Sequence, residues 1–156
     1  MGLLSGIEKD AVSELALRKA ITVEPSSSVR QVVKQMREGG LGCAIVVADD
    51  GKPIGIFNEA MLRHLLIESP AALDGEIQSV MATPFPWVRA TDTVETVLEA
   101  METKNSRFVV VLDDDGKPCG LTGQKGLMEY IADYFPGEVM VQRVGTKPIP
   151  ESREGA

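Results

Sequence analysis

Ile45-Val46-Val47-Ala48-Asp49-Asp50-Gly51-Lys52-Pro53-Ile54-Gly55 returns 65 positions later as Val110-Val111-Leu112-Asp113-Asp114-Asp115-Gly116-Lys117-Pro118-Cys119-Gly120. Pairing residues 22–66 with 87–131 gives 12 identities in 45 positions, and most of the remaining apolar positions are conservative. A repeat of this kind settles the organisation of a chain before any other reading. The unit is too long for a solenoid repeat and occurs only twice, so two similar half-domains are expected to pack on each other with a cleft or seam between them. The whole chain has 156 residues, enough for one domain or one compact pair of half-domains. Half of it would bury too little surface to be stable alone, so the repeats should need each other.

Outward from the quoted stretch, each copy reads as a hairpin: a β-rich run, an Asp-Gly turn and a second run. Residues 44–47 and 54–57 supply the runs in the first copy, and residues 108–112 and 119–122 in the second. Upstream lies a helix with matching apolar stripes. Val29, Val32, Val33 and Met36 correspond to Val94, Val97, Leu98 and Met101 at i, i+3, i+4, i+7 spacing. Ser26, Ser27 and Ser28 are N-cap candidates for the first helix, and Asp92 with Glu95 has capping-box spacing in the second. Gly39-Gly40 and Lys104-Asn105 end the two helices. Residues 21–23 and 86–88 read as short extended segments before them, and residues 59–68 and 124–134 as closing helices. Each unit is therefore β-α-β-β-α. Val12 and Leu15 match Ile77 and Val80, so each unit also starts with a short helical turn. The expected divisions are an N-terminal helical extension (1–11), repeat 1 (12–67), a linker (68–76), repeat 2 (77–134) and a partly ordered tail (135–156).

Composition narrows the function classes. Net charge is −7, with 44% apolar and 25% charged residues, as in an ordinary soluble globular protein. An acidic chain without a basic run disfavours nucleic-acid binding, which draws on clustered Lys and Arg. No stretch reaches membrane-spanning length, and residues 1–10, with Glu8 and Asp10 and no basic start, do not resemble a secretory signal. Cys43 and Cys119 occupy non-equivalent places within apolar strand patterns and read as buried small hydrophobes in a reducing compartment, so a cytoplasmic location is expected.

The duplicated β-α-β-β-α unit with its Asp-Asp-Gly turn and Gly-led second strand resembles the tandem cystathionine-β-synthase (CBS) domain pair, over about residues 12–67 and 77–134. The resemblance implies an α/β (α+β) fold in which two repeats pack about a pseudo-twofold axis with their sheets facing. It also implies two equivalent clefts that take adenosine derivatives such as AMP, ATP or S-adenosylmethionine, pairing into a homodimer, and regulation of a partner protein. It is a resemblance to the regulatory module itself, with no catalytic, channel or transporter domain attached.

The family's ribose-binding signature is Gly, two hydrophobics, Thr or Ser, two residues, then Asp. The carboxylate accepts hydrogen bonds from ribose hydroxyls and the hydroxyl side chain orients the sugar or phosphate. In the first copy, Gly55 to Met61, Asn58 stands at the hydroxyl position and Met61 at the Asp position. In the second, Gly120 to Gly126, these are Gly123 and Gly126, with Thr122 one place early. The ligand-binding positions implied are Thr22, Val23, Cys43, Ala44, Asn58 and Met61, with Trp87, Val88, Arg107, Phe108, Thr122, Gly123 and Gly126. Trp87, at the start of the first strand of repeat 2, has a ring able to cover an adenine. Lys125, Arg107 and Arg89 are candidates to meet a phosphate near the second cleft.

Other chemistry finds little to build on. In the Asp-rich turns a calcium loop would place Val111 and Thr122 at ligand positions, so turn chemistry is the simpler reading. His64 is the only histidine, which leaves no zinc set and no evident acid–base pair. No Gly-x-Gly-x-x-Gly fingerprint or P-loop is present. The expectation is a non-enzymatic regulatory module that needs no cofactor and takes an adenine nucleotide as regulatory ligand. The alternative is a ligand-free dimerisation scaffold whose clefts are filled by Met61, Phe57 and Trp87.

Overall fold

The computed structural model describes residues 2–134; the expectation for the tail, 135–156, lies outside the described residues. Helix α1 (Leu3–Lys9) and a 3-10 turn (Val12–Glu14) precede the first unit, β1 (Thr22–Val23), α2 (Val29–Gly39), β2 (Cys43–Val47), β3 (Pro53–Asn58) and α3 (Glu59–Glu68). After 3-10 turns at Pro70–Asp74 and Ile77–Ser79, the second unit repeats the order as β4 (Trp87–Arg89), α4 (Val94–Lys104), β5 (Phe108–Leu112), β6 (Pro118–Gly123) and α5 (Gln124–Tyr134). Each unit carries a three-stranded sheet, β1-β2-β3 or β4-β5-β6, with the first pair parallel and the hairpin antiparallel.

The turn residues account for the hairpins. Ala48 N–H donates to the Lys52 carbonyl at 2.9 Å, and Gly51 turns the chain at φ 85°. In the second copy Asp113 Oδ1 accepts the amides of Asp115 at 2.9 Å and Lys117 at 3.0 Å, so the carboxylate serves the turn. At the helix starts, Ser28 and Gln31 form a reciprocal capping box on α2. Asp92 does not cap α4. Its carboxylate accepts Arg89 N–H at 2.8 Å instead, while the Asp10 carbonyl takes the first amide of α4, Val94, at 3.0 Å. Left-handed Gly40 and Asn105 end α2 and α4. The α2 stripe is buried except for half-buried Val33, but Leu98 of the α4 stripe is 39% exposed.

Strand alternation divides the core into three parts. Ala44, Val46 and Phe57 face α2 in one helix–sheet core, and Val109 and Val111 face α4 in the other. Cys43, Ile45 and Ile56 meet Val110, Leu112 and Leu121 in a third cluster, the seam where the two sheets face. These seam side chains are 9% exposed or less, and burying each apolar side chain is worth about 1.5–3 kcal/mol.

The turn that starts each repeat is exchanged. Val12 and Leu15 fill the core of repeat 2, and Ile77, with Val80 beside it, fills that of repeat 1. The following residues continue the exchange: Arg18 bridges Leu121 of β6, and Ala82 bridges Ile56 of β3. The 65-residue offset slips here. Leu121 and Ile56 are 65 apart, but Arg18 and Ala82 are 64 apart. Leu17 and Met81, the side chains against Gly120 and Gly55, keep the same offset of 64.

Candidate functional site

The exchanged segments and the starts of α3 and α5 bound two pseudo-equivalent clefts. Cleft A lies where α3 leaves β3 and has a volume of about 330 Å³. Buried Ile56 and Pro86 and half-buried Phe108 give it apolar walls; exposed Arg63, Lys104 and Arg107 bring cations, opposed by Glu59. Asn58 and Met61 line the same space. The Asn58 Oδ1 accepts the Met61 amide at 3.0 Å, so this side chain caps α3 while facing the cleft.

Cleft B lies where α5 leaves β6 and retains about 50 Å³. The register slip explains part of the difference. Arg18 occupies in cleft B the place that Ala82 holds in cleft A, and its guanidinium donates to the Gly40 carbonyl at 3.3 Å. Leu41 also narrows cleft B, where its counterpart in cleft A is the shorter Ser106.

Thr122 is 4% exposed, and its Oγ1 has no hydrogen-bond partner among the described residues. Gly123 passes so close to the Arg107 carbonyl that a Cβ would collide with it. That contact excludes a hydroxyl-bearing residue at this position and leaves Thr122, one residue earlier, as the hydroxyl beside the start of α5. A Cβ at Gly126 would come within 2.7 Å of Thr122 Oγ1.

Asn58 and Met61 of the expected set thus meet in cleft A, and Thr122, Gly123 and Gly126 in cleft B. Arg107 and Phe108 line both. Arg107 also donates to Gln124 Oε1 at 3.4 Å, which places it between the clefts. Cys43 is buried in the seam, and burial pushes its thiol up to about 12. Val23, Ala44 and Val88 lie in the helix–sheet cores and line neither cleft, and Thr22 is exposed on β1. Trp87 is 46% exposed beneath the Arg89 guanidinium, 5.7 Å from the ring centroid, and borders a separate groove with Thr96 and Glu99. Arg89 therefore stays with Trp87, whereas Lys125 does line cleft B. Sequence reading passed over Lys104, Arg63, Ser106 and Arg18. Lys104 and Ser106 flank the helix-ending Asn105, and that proximity was the available signal; Arg18 becomes visible only through the exchange. Among the described residues, no group of His, Cys, Asp and Glu could hold a metal ion, and no helix is long and apolar enough to cross a membrane.

Comparison with known proteins agrees with this architecture. An uncharacterized protein of Methanopyrus kandleri is 28% identical over 120 residues, covering 76% of this chain, and the chain spans 61% of that protein's length. A CBS domain protein of Pyrobaculum aerophilum, solved in complex with AMP, is 25% identical with a TM-score of 0.66, covering 72% of this chain and 86% of the other. The CBS domain pair of protein MJ0100, solved with 5′-methylthioadenosine and S-adenosyl-L-methionine, shares the fold at a TM-score of 0.70 and 18% identity, covering 80% of this chain and 97% of the other. The CBS domain model matches residues 12–68 and again 76–133, so the chain belongs to the CBS-domain family and carries the domain twice in tandem.

Proposed function

We propose that this chain is a non-enzymatic regulatory module that binds one adenosine-type ligand per chain, in cleft A, and modulates a partner protein. The observation that carries the reading is the cleft's composition. A space of about 330 Å³ has apolar walls for a base and three cationic side chains for a phosphate. That volume lies at the lower end of small-molecule sites. The AMP complex of the Pyrobaculum relative supports the ligand class. Binding regulates only if the ligand prefers one packing of the repeats over another.

The module is further proposed to act in the cytoplasm as a homodimer through α3 and α5, where Leu66, Ile67, Met128 and Ile131 are 44–82% exposed. A monomer mass by light scattering at micromolar concentration would count against pairing.

The test of binding is a melting-temperature panel with AMP, ADP, ATP and S-adenosylmethionine, followed by calorimetry. A hundredfold excess over Kd stabilises the fold by about 2.7 kcal/mol, a visible shift. A selective shift with one site per chain supports the reading. A flat panel would favour the ligand-free scaffold, to which the missing Asp at positions 61 and 126 already points.

A further inference from the structure

The polar side chains around cleft A are nearly all hydrogen-bond donors, and this bears on which adenosine derivative it takes; the inference rests on the adenosine-type reading above and deepens it. Arg63, Lys104 and Arg107 only donate, and among the described residues none of the three is in an ion pair. Asn58 has its Oδ1 on the Met61 amide at 3.0 Å, which leaves its Nδ2 donors for the cleft. The Ser106 hydroxyl is closed on its own loop: it donates to the Phe108 carbonyl at 2.9 Å and accepts the Phe108 amide at 3.2 Å. Two lining side chains keep an unspent oxygen. Asn105 offers a single neutral amide, and Glu59 lies against Gly42, where an added Cβ would come within 2.9 Å of its carboxyl carbon. Met61 carries no oxygen in its side chain.

A free ribose diol needs acceptors, and two adjacent hydroxyls are best met by a carboxylate. A phosphate ester in place of one hydroxyl needs donors instead. Where dinucleotide sites discriminate the two, an acidic side chain holds the hydroxyl and an arginine accommodates the phosphate. Cleft A has the second chemistry. Its cations also come from both repeats: Arg63 stands on α3, whereas Lys104 ends α4 and Arg107 immediately precedes β5. One terminal phosphate answers one of these groups, and a second phosphate answers the other. All three cations are exposed, so the phosphates meet them on the solvent side, and the base alone takes the apolar walls of Ile56, Pro86 and Phe108.

We propose that the ligand of cleft A is an adenosine phosphorylated on the ribose, at the 2′ or 3′ oxygen, in addition to its 5′ phosphate, with Arg63 on one phosphate and Lys104 and Arg107 on the other.

The test measures binding by calorimetry at fixed ionic strength. The ligands are AMP, ADP, adenosine 2′,5′-bisphosphate and adenosine 3′,5′-bisphosphate; the proteins are wild type, Arg63→Gln and Met61→Asp. At least one bisphosphate should bind wild type about tenfold more tightly than AMP. It should also bind more tightly than ADP, which carries its second phosphate on the 5′ chain and keeps both ribose hydroxyls. Arg63→Gln should reduce the preference over AMP to about twofold. Met61→Asp should reverse it, because a carboxylate accepts from the diol and repels its ester. Position 63 is exposed, so Arg63→Gln decides the matter if Met61→Asp does not fold. The isomer that binds better names the esterified oxygen. AMP binding as tightly as both bisphosphates, ADP matching them, or a preference unchanged by the substitutions overturns the inference and leaves the adenosine-type reading in place. Absence of binding by all four ligands overturns that reading as well.

Discussion

The Asn58 side chain accepts the backbone amide of Met61 at 3.0 Å, so the residue at the family's hydroxyl position is also the cap of the helix beside cleft A. Removing that cap by Asn58→Ala should cost about 1 kcal/mol of stability, whereas Asn58→Ser should keep most of it. Urea denaturation of the two variants checks this. Equal loss in both would mean that the cap carries no weight.

A carboxylate is most useful in cleft A, where space exists. Met61→Asp should tighten AMP binding roughly tenfold by accepting hydrogen bonds from ribose hydroxyls. The same change in cleft B should fail. A Cβ at Gly126 meets Thr122 Oγ1 at 2.7 Å, so Gly126→Asp should destabilise the fold by about 1–3 kcal/mol without raising nucleotide affinity. Calorimetry and thermal melts of both variants separate the outcomes.

Restoring the family's hydroxyl at position 123 should also fail. The Arg107 carbonyl occupies the place of a Cβ at Gly123. Gly123→Ser is expected to lose more than about 2 kcal/mol of stability. A wild-type melting temperature would show that the backbone can move aside.

Exchange of the starting turns makes the repeats interdependent. Leu15, 4% exposed, lies in the core of repeat 2, so Leu15→Ala should cost about 2–5 kcal/mol in a single cooperative transition. A fragment of residues 12–68 keeps a turn that belongs to the other core and lacks Ile77, so it should show no cooperative melt by circular dichroism.

The two thiols should separate by reactivity. Burial pushes the Cys43 thiol up to about 12, leaving little thiolate at pH 8, and the side chain is closed in the seam. Cys119, expected to be buried, is instead exposed on β6, though desolvation and the nearby Asp113 also raise its thiol. One thiol per chain should react with a disulfide reagent at pH 8, more slowly than a free cysteine, and the second only in denaturant. Because both shifts are upward, native reactivity should rise as pH increases.

Much of the fold was legible in the chain because its signals are local. The Asp-Gly turns, the i, i+3, i+4, i+7 stripes and the helix-ending Gly40 and Asn105 act within a few residues, and the repeat presents them twice. Leu98 departed from its stripe and is 39% exposed. Asp92 departed from its pattern because a tertiary partner intervened: the Asp10 carbonyl took the first helix amide.

The residue pattern alone specifies two β-α-β-β-α units and the residues flanking each β-to-α junction. It took the packed chain to show that the starting turns change places and that Arg18, not Leu17, pairs with Leu121. The packing thereby decided that one cleft keeps about 330 Å³ while the other narrows to about 50 Å³. The reason is physical: periodicity records which side of an element is buried, whereas the volume of a cleft depends on which side chain from a distant segment enters it. A one-residue slip in that segment changes this without altering the pattern.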